Sequence, residues 1–321
     1  LSAPLPPPDD AVVELDDLVG VLEHPVKAFL RRRLGVRVPG EVEELDDRLP
    51  LTLGPLDEWA AGDRLLGAAL DGVDLARAAA AERRRGRVPP GRLGGAVLQD
   101  VATRAAVVAE AATPLLGAPA SAVDVTVPLP GGRTLTGTVP GVRGDVLVRA
   151  VYSRLGAKHR LRAWLHLVAL AASPGAPAVR GAATVGRGPG SRPAAATSWL
   201  RAPDPATARR VLTDLVALRD RALCAPLPLP VAAGGTYAQR RHGHDDPAGA
   251  LADAEHTLRA RFEHTDEHHV LAWGEGFTLL QVAGDPTPAD RAAWPDEPTL
   301  LGALARAAWD ALLEHEGQVP W

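Results

Sequence analysis

Residues 146–203 of this 321-residue chain read VLVRAVYSRLGAKHRLRAWLHLVALAASPGAPAVRGAATVGRGPGSRPAAATSWLRAP. The apolar residues of 145–152 follow the pattern of a strand, and those of 157–172 recur at helical spacing. Two further strand-like runs, 178–185 and 194–200, are separated by glycine and proline. The stretch therefore predicts a strand, a helix and two more strands, which is the start of an α/β core.

The same stretch contains no Asp or Glu but nine Arg and Lys residues, although the whole chain has 35 basic residues against 39 acidic ones. A cluster of one sign on a sheet-and-helix core is typical of a surface that binds a polyanion, most often nucleic acid. Because the stretch holds no carboxylate, we expect no acidic neighbour to cancel this field. Lys158, Arg162 and His166 are spaced to share one polar face of the helix. The residues expected to contact DNA phosphates are Arg149, Arg154, Lys158, Arg160 and Arg162.

Composition limits the class of protein. Apolar residues make up 46% of the chain, enough for a substantial core, and the single Cys224 excludes an intrachain disulfide and a four-cysteine metal site. No apolar run approaches the roughly 20 residues of a membrane-spanning helix, so we expect no membrane contact and a cytoplasmic location. The proline-rich opening LSAPLPPPDD, without an initiator Met, is interpreted as a linker (1–10) of a longer protein.

Four parts are predicted along the chain. After the linker we expect a helical N-terminal part (11–120), an α/β core (121–225) and a helical C-terminal extension (226–321). Helices are predicted at 16–34 (kinked or split by Pro25), 55–85, 96–112, 157–172, 205–223, 247–262 and 300–314, and strands at 123–127, 134–139, 145–152, 178–185, 194–200 and 270–273.

The order helix, three antiparallel strands, helix, strand resembles the core of the PD-(D/E)xK nucleases, an α/β (α+β) fold. This resemblance implies an Asp on the second strand and, on the third, a carboxylate followed two residues later by Lys, which together hold a metal ion. Here Pro140 is the expected occupant of the first position, and residues 149–154 offer no carboxylate. We therefore expect no catalytic residue, no metal and no cofactor. The alternative is an active metal-dependent exonuclease that uses Asp124 and Asp145.

Two segments, 24–35 (HPVKAFLRRRLG) and 152–164 (YSRLGAKHRLRAW), resemble the C-terminal region of RecC, the gamma chain of exodeoxyribonuclease V, especially in its actinobacterial members. Residues 226–230 (PLPLP), Thr236-Tyr237 and 268–274 (HHVLAWG) follow in the order of that region. The first segment also occurs in related RecB-type and AddB-type nucleases, and the degraded active site separates RecC from them.

The resemblance implies membership of the RecBCD complex, an ATP-dependent helicase and nuclease of double-strand break repair by homologous recombination. It implies three partners, namely DNA, a RecB-like helicase-nuclease subunit and a RecD-like helicase subunit. The chain would then be a non-catalytic DNA-binding and subunit-docking domain. A further alternative is a pure protein-interaction scaffold, in which the cationic surface meets an acidic surface of a partner.

Other motifs have simpler interpretations. His264-Thr-Asp-Glu-His268 matches H-x-x-E-H, a zinc-peptidase pattern that needs both His on one helical face, but it is interpreted as a solvated polar loop. Gly186-Arg-Gly-Pro-Gly190 is followed by another strand rather than a helix, so it is predicted to be a hairpin turn and not a phosphate loop. Trp164 and Trp199 are predicted to belong to the core.

Overall fold

The computed structural model describes residues 3–37, 53–89 and 91–317. Its six strands form one mixed sheet, in which β2 lies on one edge of β3 and the remaining strands run in the order β1, β3, β4, β5, β6. The predicted α/β class is confirmed. The strands are β1 (Val12–Glu14), β2 (Ser121–Pro128), β3 (Thr134–Arg143), β4 (Val146–Arg154), β5 (Gly181–Arg187) and β6 (Ala195–Arg201).

Helices precede, interrupt and follow these strands. Each predicted helix is present, and four segments of the C-terminal part are helical that were not predicted to be helices, namely 231–242, 267–273, 279–282 and 288–293. The helices of the described residues are α1 (Leu15–Glu23), α2 (Pro25–Arg33), α3 (Pro55–Leu70), α4 (Leu75–Arg84), α5 (Gly91–Ala112), α6 (Ala157–Ala172), α7 (Pro205–Ala222), α8 (Val231–His242), α9 (Pro247–Ala260), α10 (Glu267–Trp273), α11 (Leu279–Val282), α12 (Pro288–Ala293) and α13 (Leu300–His315).

β1, which was not predicted, and β4 share one edge of β3. β1 pairs in parallel with residues 134–136, and β4 pairs antiparallel with only Val142 and Arg143. The opposite edge of β3 pairs antiparallel with β2. β1 and β4 therefore diverge and leave a fork beside residues 137–141. The start of α1 comes so close to this fork that a Cβ on Gly137 would lie 2.5 Å from the Cβ of Leu15. Any residue larger than glycine would displace α1.

Helices cover both faces of the sheet. On one face α6 packs against α7 and buries Trp164 completely. On the other face α3 and α5 pack against Tyr152 of β4 and Val185 of β5. Successive side chains of a strand point to opposite faces, so Leu147 and Arg149 of β4 lie on the α6 side, away from Tyr152.

The predicted helices are divided more often than expected. Pro25 splits the first one into α1 and α2, as one of the two predicted outcomes. The helix predicted at 55–85 is broken at Gly72, whose φ of +76° ends α3. Asp74 then caps α4, since its carboxylate accepts a hydrogen bond from the backbone N–H of Arg77.

The strand predicted at 270–273 is wrong, because those residues belong to α10. The Asp266 carboxylate accepts hydrogen bonds from the backbone N–H groups of His268 and His269 at 3.0 and 3.2 Å, and this cap starts the helix. An apolar run as short as Val-Leu-Ala-Trp fits a strand or a helix equally well, so the cap decides.

The division into a linker, two helical parts and a core stays a prediction. Residues 3–10 lie against the rest of the chain, where the N–H of Leu5 donates to the carbonyl of Cys224 at 2.8 Å and Arg33 donates to the carbonyl of Pro6 at 2.7 Å. None of the described helices combines the length and the apolar character that crossing a membrane requires.

Candidate nucleic-acid interface

The two carboxylates of the active-exonuclease alternative lie far apart. Asp124 on β2 is opposite Thr138 of β3, whose hydroxyl donates to it at 2.6 Å. Asp145 precedes β4, in the turn beyond the end of β3, and pairs with Arg180 at 3.2 Å. From Thr138 to Arg143, the last residue of β3, the strand advances by five residues, or roughly 16 Å. Asp124 and Asp145 therefore cannot hold one metal ion together.

Arg149, in the segment 149–154 that was expected to offer no carboxylate, is part of a cationic group. Arg149 of β4 lies under α6, with its Nη1 3.4 Å from Nδ1 of His166. Burial, and secondly Arg149 and Arg162, lower the pKa of His166 to about 3, so its ring is neutral at pH 7 and accepts from Arg149. Burial also lowers the pKa of Arg149, and Arg162 adds to that shift. His166 is only 3% exposed, so its predicted place on a polar face is wrong.

Arg162 has an acidic partner. Its Nε and Nη2 donate to the two carboxylate oxygens of Glu23, the last residue of α1, at 2.7 and 2.6 Å. This bidentate bond raises the pKa of Arg162. The expectation that no acidic residue cancels the charge of the stretch is therefore wrong, because the carboxylate comes from a distant part of the chain.

Arg160 is also paired with a distant carboxylate. Its Nε donates to Glu316 at 2.7 Å and its Nη2 donates to the second oxygen of the same carboxylate. Glu316 also accepts from the hydroxyl of Ser198 at 2.7 Å. The guanidinium lies 5.6 Å from the ring centre of Trp309 on α13. Arg160 thus links α6 to β6 and to the C-terminal helix.

Arg154 and Lys158 differ from the other three candidates because both are exposed. Arg154 ends β4 and donates to the carbonyl of Gly190 at 3.1 Å, while Lys158 forms no ion pair with any described residue. Both flank the N-terminus of α6, where Gly156 is the N-cap and the partial positive charge of the helix dipole adds to theirs. Of the five predicted residues, these two are the cations that a ligand could reach most easily.

Three further arginines lie beside Arg154 and were not among the predicted site residues. Arg187 ends β5 next to Arg154, Arg104 projects from α5, and Arg192 belongs to the loop between β5 and β6. Together they line a cavity of about 120 Å³, which we call the arginine pocket. Arg187 and Arg192 occur in the carboxylate-free stretch and could have been named from it. Arg104 lies outside that stretch, and only the fold brings it to the pocket.

The H-x-x-E-H residues do not share a helical face. His264 belongs to a 3₁₀ turn (Glu263–Thr265), and His268 follows the cap of α10. The interpretation as a solvated loop is also wrong, since His268 and His269 are buried. His269 is buried enough to lower its pKa to about 4.

His24, Asp266 and His268 place their ligand atoms within 4.8 Å of one another. However, Nδ1 of His24 accepts from the N–H of Lys27 at 3.2 Å, so its Nε2 carries the proton that it donates to Asp266 at 3.0 Å. A metal can bind Nε2 only if that nitrogen loses its proton. In a neutral ring the proton would then be on Nδ1, which could no longer accept a hydrogen bond from Lys27. The geometry therefore fits a hydrogen-bonded link between α2 and α10 better than a metal site.

One other interpretation is confirmed, and a second is confirmed in part. Residues 188–194 connect β5 to β6, and the N–H of Gly188 donates to the carbonyl of Ala194 at 2.7 Å, so the glycine-rich segment is part of a hairpin connection. Trp164 is fully buried, as predicted, whereas Trp199 is only partly buried.

Comparison with known proteins identifies the family. A family profile described as the RecC C-terminal domain matches residues 10–242. The chain is 37% identical over 319 residues to the RecBCD enzyme subunit RecC of Mycolicibacterium smegmatis, covering 99% of this chain and 29% of that subunit. It is 38% identical over 321 residues to the subunit of the same name from Mycobacterium tuberculosis, covering 99% and 28%.

A more distant relative is the RecBCD enzyme subunit RecC of Escherichia coli, which is 27% identical over 179 residues, covering 54% of this chain and 15% of that subunit. The chain thus spans less than a third of the length of the relatives it matches. A solved structure of SSO0001 overlaps at a TM-score of only 0.26 and 13% identity, covering 66% of this chain and 78% of that one. The profile match over most of the chain and the mycobacterial identities show that this chain belongs to the RecC C-terminal domain family.

Proposed function

We propose that this chain is a DNA-contacting and subunit-docking domain of a cytoplasmic RecBCD-type helicase and nuclease, without nuclease chemistry of its own. The observation that carries the proposal is the pair of exposed cations, Arg154 and Lys158, at the N-terminus of α6. Exposed cations beside a helix N-terminus suit the phosphate backbone of DNA. Arg149, Arg160 and Arg162 line the same region but are engaged with His166, Glu316 and Glu23.

The absence of nuclease chemistry is supported by what occupies the carboxylate positions of the PD-(D/E)xK pattern. On β3 the position is Pro140, which pairs with Ala122 and has no metal-binding group. On β4 Arg149 brings a positive charge under α6, and a cation there repels a second cation. A divalent metal is therefore disfavoured by charge as well as by the lack of ligands.

The docking role rests on the family. The mycobacterial relatives are named subunits of a RecBCD enzyme, and this chain matches less than a third of each. We infer that it acts within such an assembly, beside a RecB-like helicase-nuclease subunit and a RecD-like helicase subunit, in double-strand break repair by homologous recombination. Co-expression tests this inference. If the chain is purified with neither subunit bound, although both subunits are present and folded, docking is contradicted.

DNA contact is tested by fluorescence anisotropy of a labelled oligonucleotide over a range of salt concentrations, with and without magnesium. Lys158→Ala should weaken binding and reduce the slope of log K against log[salt] by about 0.7 to 0.9, the contribution of one phosphate contact. The matched control is Arg209→Ala. Arg209 is exposed near the C-terminal end of α6, about 24 Å from its N-terminus.

The outcomes separate the candidate functions. If Lys158→Ala and Arg209→Ala both bind like the unsubstituted chain, Lys158 does not contact DNA. If the chain binds no oligonucleotide at low salt yet binds a partner subunit, the pure scaffold is correct. That alternative has one observation in its favour, since the ion pairs of Arg160 and Arg162 remove two cations from the predicted DNA surface.

A further inference from the structure

We propose that the arginine pocket binds one phosphodiester group of a DNA strand. This inference rests on the proposed DNA contact and adds to it a specific site, formed by residues other than Lys158. The pocket is lined by the side chains of Arg104, Arg154, Arg187 and Arg192 and by the connection between β5 and β6. It lies at the sheet edge from which α6 begins.

The fold brings these arginines together in three ways. β4 and β5 are parallel, so their C-terminal residues, Arg154 and Arg187, meet at the same edge in register. α5 packs against both strands on one face and contributes Arg104. The β5–β6 connection carries Arg192, which is exposed. Arg104 precedes the other three arginines by 50 to 88 positions, so the fold and not their order in the chain brings the four to one cavity.

The pocket keeps a positive charge after its ion pairs are counted. Arg104 pairs with Glu58 at 2.9 Å and with Asp100 at 2.5 Å, and Arg187 is 3.8 Å from the same Glu58. No other ion pair of the four arginines occurs in the described residues. Four guanidinium groups against two carboxylates leave two positive charges. Arg192 forms no hydrogen bond among the described residues, and Arg154 donates only to the carbonyl of Gly190.

The guanidinium group of Arg187 is held in place but does not use all of its hydrogen-bond donors. Its guanidinium lies 4.5 Å from the ring centre of Tyr152, which holds the group in place by a cation–π contact. Its buried Nε has no hydrogen-bond partner among the described residues. A buried donor without a partner is unfavourable. That nitrogen is enclosed by the protein, so an anion with several oxygens in the cavity would accept from the other nitrogens of the guanidinium groups that line it.

Size and shape favour a phosphate group. The cavity of about 120 Å³ equals the volume of roughly four water molecules, enough for one phosphate and too little for a base with its sugar. Planar guanidinium groups donate in pairs to phosphate oxygens. Because Ser191 and Arg192 on the rim are exposed, the strand on either side of the bound phosphate can continue into solvent. A phosphodiester within a strand meets all of these conditions.

The test is anisotropy with the 321-residue chain and a single strand of roughly 20 nucleotides, longer than a typical single-strand site. Arg154→Ala with Arg192→Ala changes two exposed side chains and should weaken binding about 5- to 30-fold, with a salt slope smaller by about 0.7. Arg154→Lys with Arg192→Lys keeps both charges but loses the planar guanidinium groups that donate to two oxygens at once. The salt slope should therefore return to that of the unsubstituted chain, while the affinity should stay reduced. Arg209→Ala is the control, and circular dichroism verifies the fold of each variant.

Each result decides between this site and its alternatives. If the pocket variants bind like the unsubstituted chain while Lys158→Ala weakens binding, the pocket proposal is overturned and the proposed function stands. If the unsubstituted chain binds no oligonucleotide, the proposed function fails and the pocket proposal with it. Inorganic phosphate or an oligoglutamate peptide, added at the same concentration as the DNA strand, should not displace the strand. Displacement by phosphate would overturn the proposal in favour of a site for free phosphate, and displacement by oligoglutamate would overturn it in favour of a site for an acidic protein.

Discussion

The guanidinium of Arg162 and the carboxylate of Glu23 are joined by two hydrogen bonds, at 2.7 and 2.6 Å, which connect α6 to the end of α1. Glu23 is only 17% exposed in this pair, and Arg162 is 40% exposed. One partner is therefore largely withdrawn from water while the other remains accessible. The pair stabilises the contact of α1 with α6 and at the same time competes with any anion that approaches Arg162.

Glu23→Gln should lower stability without weakening DNA binding. Loss of the charged, bidentate acceptor is expected to reduce the free energy of unfolding by about 1–3 kcal/mol, because Arg162 keeps at best one neutral acceptor. The same change frees Arg162 for phosphate, so the affinity for DNA should stay equal or rise. Urea unfolding and anisotropy measure the two effects. Glu14→Gln, at an exposed position of β1, is the control, and weaker DNA binding by Glu23→Gln alone would contradict the competition.

Arg160→Ala should act on stability more than on DNA binding. The substitution removes the paired hydrogen bonds to Glu316 and the contact with Trp309, both between α6 and the C-terminal end of the described chain. We expect the free energy of unfolding to fall by about 1–3 kcal/mol. A double-mutant cycle with Glu316→Gln should show a coupling of at least 0.5 kcal/mol, as residues in direct contact do. Arg201→Ala, which is exposed on β6, serves as control, and additive effects would argue against the pair.

The pH dependence of stability should contain a contribution from His166. Its pKa is about 3 in the folded chain and about 6.5 when unfolded, so between these values the unfolded chain binds a proton that the folded chain does not. The free energy of unfolding contributed by this residue is therefore intact above about pH 6.5 and decreases as the pH falls toward 3, by up to about 1.4 kcal/mol per pH unit.

His166→Gln removes this titration and keeps an acceptor for Arg149. Urea unfolding at about pH 7.5, 6 and 4.5 should show a shallower loss of stability in acid for this variant than for the unsubstituted chain. The exposed His256 provides the control substitution, His256→Gln. Parallel curves for His166→Gln and the unsubstituted chain would show that His166 is not buried as a neutral ring.

The parts of this fold that could be predicted depend on local repeats. β4 and α6 could be predicted because the spacing of their apolar residues matches the layers that those residues contact. His166 was placed wrongly because ten of the 16 residues of α6 are buried. A helix covered by both the sheet and α7 has a wider apolar face than a single stripe suggests.

The parts that could not be predicted depend on contacts between distant residues. Glu23 lies 139 positions from Arg162, and Glu316 lies 156 positions from Arg160. The local sequence therefore shows a stretch without carboxylates, whereas the fold brings carboxylates to it from other parts of the chain. The same physics explains the arginine pocket, because parallel strands bring Arg154 and Arg187 together at their C-terminal ends only once the sheet is formed.

The purified chain should not degrade DNA in magnesium or manganese. The resemblance to the nuclease pattern implies carboxylates at Pro140 and within residues 149–154, where this chain has none, and Asp124 and Asp145 are too far apart to hold one ion between them. Asp124 is in addition engaged by the hydroxyl of Thr138 at 2.6 Å. The measurement is release of nucleotides from labelled single-stranded and double-stranded DNA, with Asp124→Ala and Asp145→Ala prepared in parallel to detect a contaminating nuclease. Metal-dependent release that is equal in all three preparations comes from a contaminant, whereas release that Asp124→Ala abolishes would establish the active-exonuclease alternative.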